Sequence, residues 1–134
     1  TMNRTKNLGV VLSLLIGGAS AQQAAAAPYC WDSITVGSTS VERLEFNAIP
    51  IGENIYTVIG ASNGFSGTAE LKKDSVVMLG NEFMEGNPRE IIHYRFNLIT
   101  GSLDGFWTAI AINTDGDVEN RYGVVYGVSC DDDI

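Results

Sequence analysis

Histidine, cysteine, proline and cationic side chains are all scarce in this chain, and each scarcity narrows what it can do. His93 is the single histidine among 134 residues. One histidine leaves little material for a Ser-His-Asp or Cys-His catalytic set, and a zinc site, which draws on several His and Cys ligands, is poorly supplied. His93 also alternates with Arg95 and Asn97 on the polar side of its segment, the setting of a solvated strand histidine. The sequence therefore points to no catalytic residue, no metal and no cofactor, and the expectation is that the protein is not an enzyme. Eight Lys and Arg stand against sixteen Asp and Glu, a net charge of −8. That balance argues against nucleic acid and anionic membrane surfaces as partners, since both select basic patches.

Long apolar runs are also missing, with one exception. Leu8 to Ile16 follows the basic Arg4 and Lys6 and precedes Ala19-Ser20-Ala21. It is shorter than the ~20 residues that cross a bilayer, and its flanks are those of a secretory leader. Residues 1–27 are expected to be a signal peptide cut near 21/22 or 26/27. Residues 28–134 would then form one exported domain, periplasmic or extracellular, with a short acidic C-terminal tail. The leader takes two basic residues with it, leaving six basic against sixteen acidic and a net charge of −10.

Cys30 and Cys130 are the only cysteines. In an exported chain two cysteines are expected to pair, here joining the start of the mature domain to its end.

What is present is β pattern. In Glu90 to Asn113, EIIHYRFNLITGSLDGFWTAIAIN, residues Ile92, Tyr94, Phe96 and Leu98 alternate with His93, Arg95 and Asn97. Period-two alternation marks a half-buried antiparallel strand. A two-residue loop at Gly101-Ser102 would place Phe96 opposite Trp107, Tyr94 opposite Ala109, and Ile92 opposite Ala111.

Six further strand-like runs extend the design. Strand-like runs cover 29–36, 41–48, 54–61, 65–72 and 75–84 before this hairpin, and 121–130 after it. Pro50 and Gly52 are expected to end the second run. Asn63-Gly64 predicts a type I′ turn that sets Tyr56 opposite Leu71 and Val58 opposite Ala69. Lys73-Asp74 is the next tight turn, and Asp115-Gly116 the turn before the last strand. In that last strand Tyr122, Val124, Tyr126 and Val128 are expected to face inward, with Arg121, Gly123 and Gly127 outward.

Eight short antiparallel strands predict an all-β fold, an up-and-down barrel. In a meander of even strand number Cys30 and Cys130 lie at one end of the sheet, so their disulfide would seal it. A β-sandwich is the alternative. Charged outward residues, Arg43, Glu45, Glu70, Lys72, Arg95 and Arg121, argue against a membrane-spanning barrel.

No motif identifies a reaction or a ligand. Glu70, Glu82, Glu85, Glu90 and Asp104 are read as lying on loops or outer faces, away from any shared cleft. Asn113 to Glu119 spaces oxygen side chains in the manner of a calcium loop, but Val118 and Val124 stand where the EF-hand needs glycine and glutamate. The inward aromatics are the remaining signal, and Tyr94, Phe96, Trp107 and Tyr126 are the candidate ligand-binding set. The expected function is a secreted barrel holding a small, partly apolar molecule. The alternative is a structural or protein-interaction module with a filled core.

Overall fold

The computed structural model describes residues 27–61 and 63–132, and the expected leader and its cleavage sites lie outside the described residues. Eight strands follow one another in order: β1 (Ala27–Thr35), β2 (Glu42–Gly52), β3 (Ile55–Gly60), β4 (Phe65–Leu71), β5 (Ser75–Met84), β6 (Glu90–Ile99), β7 (Gly105–Asn113) and β8 (Val118–Val128). Each pairs antiparallel with the next. β1 also pairs with β8, from Cys30↔Val128 to Thr35↔Gly123, closing the sheet into an up-and-down barrel. Closure leaves no free sheet edge. The Cys30–Cys130 disulfide spans the seam, with Cα atoms 5.1 Å apart. Beside it, Arg43 binds Asp32 at 2.7 Å and the Asp132 carbonyl at 2.8 Å, holding the tail against the wall.

The central hairpin has the expected register, Phe96↔Trp107, Tyr94↔Ala109 and Ile92↔Ala111. Its connection differs from a bare two-residue turn. The Leu103 amide donates to the Ile99 carbonyl at 2.8 Å, so residues 100–103 form a wider loop with Gly101 at φ 103 and Leu103 at φ 62. That conformation folds the Leu103 side chain inward, where it is 8% exposed, and its carbonyl accepts from Trp31 Nε1 at 2.8 Å. Leu103 thereby plugs the disulfide end of the barrel. Satisfying the indole N–H and burying an isobutyl group offset the cost of a left-handed leucine.

Three expectations of register or extent are corrected. β2 runs through Pro50 to Gly52, with an irregularity between them, because Pro50 lies beyond the last described β1–β2 pair and need not donate there. The β3–β4 pairs are Tyr56↔Ala69 and Val58↔Gly67, two residues from the predicted register. Gly64 does not take positive φ. Asn63 instead turns its Oδ1 onto the Phe65 amide at 3.0 Å, just before β4 begins. A shift of two keeps every side chain on its face, so Tyr56 and Val58 are buried as expected.

The third correction concerns β8, whose faces are reversed. Gly123, Val125 and Gly127 point inward and are buried, while Tyr122 and Tyr126 are 52% and 49% exposed. The cause is the β7–β8 loop. The Asn113 amide donates to the Asp117 carbonyl and the Gly116 amide to the Asn113 carbonyl, enclosing three residues with Gly116 at φ 88. Asn113 Oδ1 braces it by accepting from the amides of Asp115 and Asp117. A three-residue loop in place of a two-residue one moves the register by one and turns over the whole strand. Asn113 to Asp117 is thus a self-braced hairpin loop, and Val118 and Glu119 already belong to β8.

The core fills the middle of the barrel. Phe46 meets Trp31 and Phe65 at ring-centroid distances of 5.5 and 4.8 Å, and Tyr94 meets Phe96 and Trp107 at 5.7 and 5.5 Å. Toward the plugged end these rings leave an apolar void of about 50 Å³ lined by Tyr29, Trp31, Tyr56, Met78 and Leu103.

Candidate functional site

At the end away from the disulfide the strands do not fill the interior. A cavity of about 220 Å³ opens there, lined by residues of β1, β2, β4, β5, β6, β7 and β8. Its floor and walls are Phe46, Phe65, Phe96, Trp107 and Ile92, and its upper wall carries Ser33, Glu42, Glu82, Tyr94 and Arg121. Alternation makes this arrangement: the inward positions are apolar at mid-strand and become polar over the last turns of the pleat near the rim.

Trp107 Nε1 donates to Ser33 Oγ at 3.1 Å, which gives the buried serine a partner and fixes the indole against the cavity wall. Tyr94 donates its hydroxyl to Glu82 Oε1 at 3.0 Å. Burial is the main force raising the Tyr94 pKa, reinforced by the Glu82 charge and hydrogen bond. Burial also raises the Glu82 carboxyl above its ordinary value. The Tyr94 hydrogen bond opposes that rise, and the charges of Glu42 and Glu90 add to it.

Arg121 grips Glu90 with two parallel bonds, Nη1 to Oε1 at 3.1 Å and Nη2 to Oε2 at 2.9 Å, and meets Glu119 at 2.9 Å. These hydrogen bonds, to Glu119 and then to Glu90, raise the Arg121 pKa further and keep it cationic. The fork geometry positions Arg121 within the rim while consuming its charge.

Of the residues singled out in the sequence, Tyr94, Phe96 and Trp107 line this cavity. Tyr126 does not. It faces solvent on the outer wall, because the three-residue β7–β8 loop turned its strand over. The same reversal brings Arg121 from the expected outer face to the inner rim, leaving Arg43, Glu45, Glu70, Lys72 and Arg95 as the outward charges. Glu82 and Glu90 were expected on loops or outer faces; Glu82 lines the cavity and Glu90 binds Arg121 across its rim. The carboxylates do converge, and the reason for setting acid–base chemistry aside does not hold.

Sequence reasoning missed Phe65, Glu42, Glu82 and Arg121 as cavity residues. Glu42 and Glu82 had a usable signal, since each is in phase with inward apolar residues of its own strand, Leu44 and Phe46 for one and Val76 and Met78 for the other.

No family model matches the chain, and neither does any curated protein or solved structure.

Proposed function

We propose that the protein is an exported binding protein that holds a small, partly apolar molecule in the open end of its barrel. One observation carries this reading: the 220 Å³ cavity has an aromatic floor and a few convergent polar groups at its rim, the combination that binds and orients small ligands. The volume is below the ~300 Å³ at which drug-sized pockets begin, so the ligand is smaller than that class. Export is supported by the basic, apolar and small-residue succession of residues 1–27 and by a disulfide suited to an oxidising compartment, periplasmic or extracellular.

The test is a titration of the oxidised protein with a panel of small aromatic and aliphatic molecules, followed by amide NMR shifts and tryptophan fluorescence. Saturable shifts confined to Leu44, Ile92, Tyr94 and Trp107 are expected. Trp107→Phe serves as the fluorescence control, since Trp31 also emits.

A second reading, a module that acts through its surface, has its own supporting observation. Phe83, Ile91, Ile112 and Val118 pair in an unbroken row across the outer faces of β5 to β8, and all four are exposed. Under that reading the same titration shows no response from any cavity residue.

A further inference from the structure

We infer that the molecule held in this cavity is an organic cation, a primary ammonium group on an apolar body, with the ammonium set between Glu42 and Glu82 and the body on the aromatic floor. The inference rests on the cavity being the ligand site and names the class of ligand.

Charge is the first argument. Four carboxylates, Glu42, Glu82, Glu90 and Glu119, surround the rim, and Arg121 is the one cation among its described residues. Arg121 spends both terminal nitrogens on Glu90 and Glu119. Glu42 and Glu82 have no cationic partner among the described residues, and both face the same cavity. Two like charges converging on a partly enclosed space are unfavourable alone and favourable to an entering cation, with a Coulomb term that grows as water leaves. Glu82 has one oxygen engaged by Tyr94, which orients the carboxylate and leaves its other oxygen to accept a charge-assisted bond.

The floor supplies the second argument independently. Tyr94 and Trp107 meet edge to face, with an interplanar angle of 63°, and Phe65 and Phe96 at 83°. Phe65, Tyr94, Phe96 and Trp107 all line the cavity, and a cation placed over an aromatic face is attracted through the ring quadrupole. An anion finds only Arg121 here, whose charge is already shared by Glu90 and Glu119. A neutral molecule gains the floor but nothing from the two carboxylates.

The experiment compares three molecules of one shape, benzylamine, benzyl alcohol and benzoate, by calorimetric titration of the full oxidised chain at neutral pH and low salt. Benzylamine is expected to bind at least ~10-fold more tightly than benzyl alcohol, a difference of about 1.4 kcal/mol, and benzoate more weakly than either. In Glu42→Gln/Glu82→Gln, which removes like-charge repulsion and so should fold, the preference for benzylamine should vanish while benzyl alcohol binding persists. Benzyl alcohol or benzoate binding as tightly as benzylamine would overturn the cationic class and leave the cavity as a ligand site. An unchanged benzylamine preference in the double variant would also overturn the placement. Failure of all three to shift any cavity amide would remove both the class and the site.

Discussion

Trp107 of β7 stands directly across the ladder from Gly123 of β8. A Cβ on residue 123 would come within 2.7 Å of the Trp107 indole nitrogen and closer still to the Ile34 carbonyl. The absent side chain is what lets the indole lie flat along the wall, reach Ser33, and form one side of the cavity. Gly123→Ala should therefore destabilise the protein by about 1–3 kcal/mol, the range for overpacking a tight core. Urea unfolding measures it, and an unchanged midpoint would mean that the β7–β8 register lies elsewhere.

Closing the barrel through Cys30 and Cys130 ties residues 100 apart in sequence. A cross-link of that span contributes as much as ~4.7 kcal/mol in the chain-entropy limit. Cys30→Ala/Cys130→Ala should lose a large share of the stability, seen as a lower denaturant midpoint. Thiol titration of the denatured, unreduced protein should find no free thiol; finding two would show that the seam is held by hydrogen bonds alone.

Tyr56 is 4% exposed, and its hydroxyl has no hydrogen-bond partner among the described residues. The Tyr29 hydroxyl shares that situation, and its pKa is pushed up to about 12 by burial and then by Tyr56. A buried hydroxyl without a partner costs free energy that a phenyl ring does not. Tyr56→Phe should accordingly raise stability by about 1 kcal/mol, read as a higher midpoint in urea. A lower midpoint would point to a hydrogen bond made by that hydroxyl in solution.

Glu82 predicts a pH dependence. Its folded pKa lies above the ordinary 4.5, first because of burial. The folded state therefore holds this proton more tightly than the unfolded chain. That contribution is complete below pH 4.5 and is lost as pH rises through the raised folded value. Glu82→Gln removes the ionisation. Relative to wild type the variant should gain stability as pH rises across that window and hold the gain at neutral pH. A difference that does not vary with pH would show that Glu82 titrates as a solvated carboxylate.

Much of this fold is legible along the chain because its signals are local. Alternation in 90–99 and the residues at 100–104 produce the β6–β7 register without reference to any other strand. Leu44, Phe46, Tyr56 and Val58 face inward as their own strands imply, and the two cysteines mark a closed, even-numbered sheet. A register error of two at Asn63-Gly64 left the faces intact, since the pleat repeats every two residues. β8 lacked such protection. Val124 and Val125 are apolar on opposite faces, so local pattern is ambiguous there, and whether the preceding loop holds two residues or three decides which face is inside.

The candidate site divides the same way. Tyr94, Phe96 and Trp107 belong to one hairpin, and their shared face follows from two adjacent strands alone. The acidic rim as a whole does not follow from any one neighbouring pair. Glu82 and Glu90 lie on the paired strands β5 and β6, but Glu42 of β2 and Arg121 of β8 join them at one rim because closure wraps β8 onto β1 and turns these ends toward one opening. Local sequence determines which residues alternate and where the chain turns, through backbone sterics and side-chain periodicity. Which charges face one another across the barrel is decided by the parity of loop lengths and by closure, and both act between residues far apart in the chain.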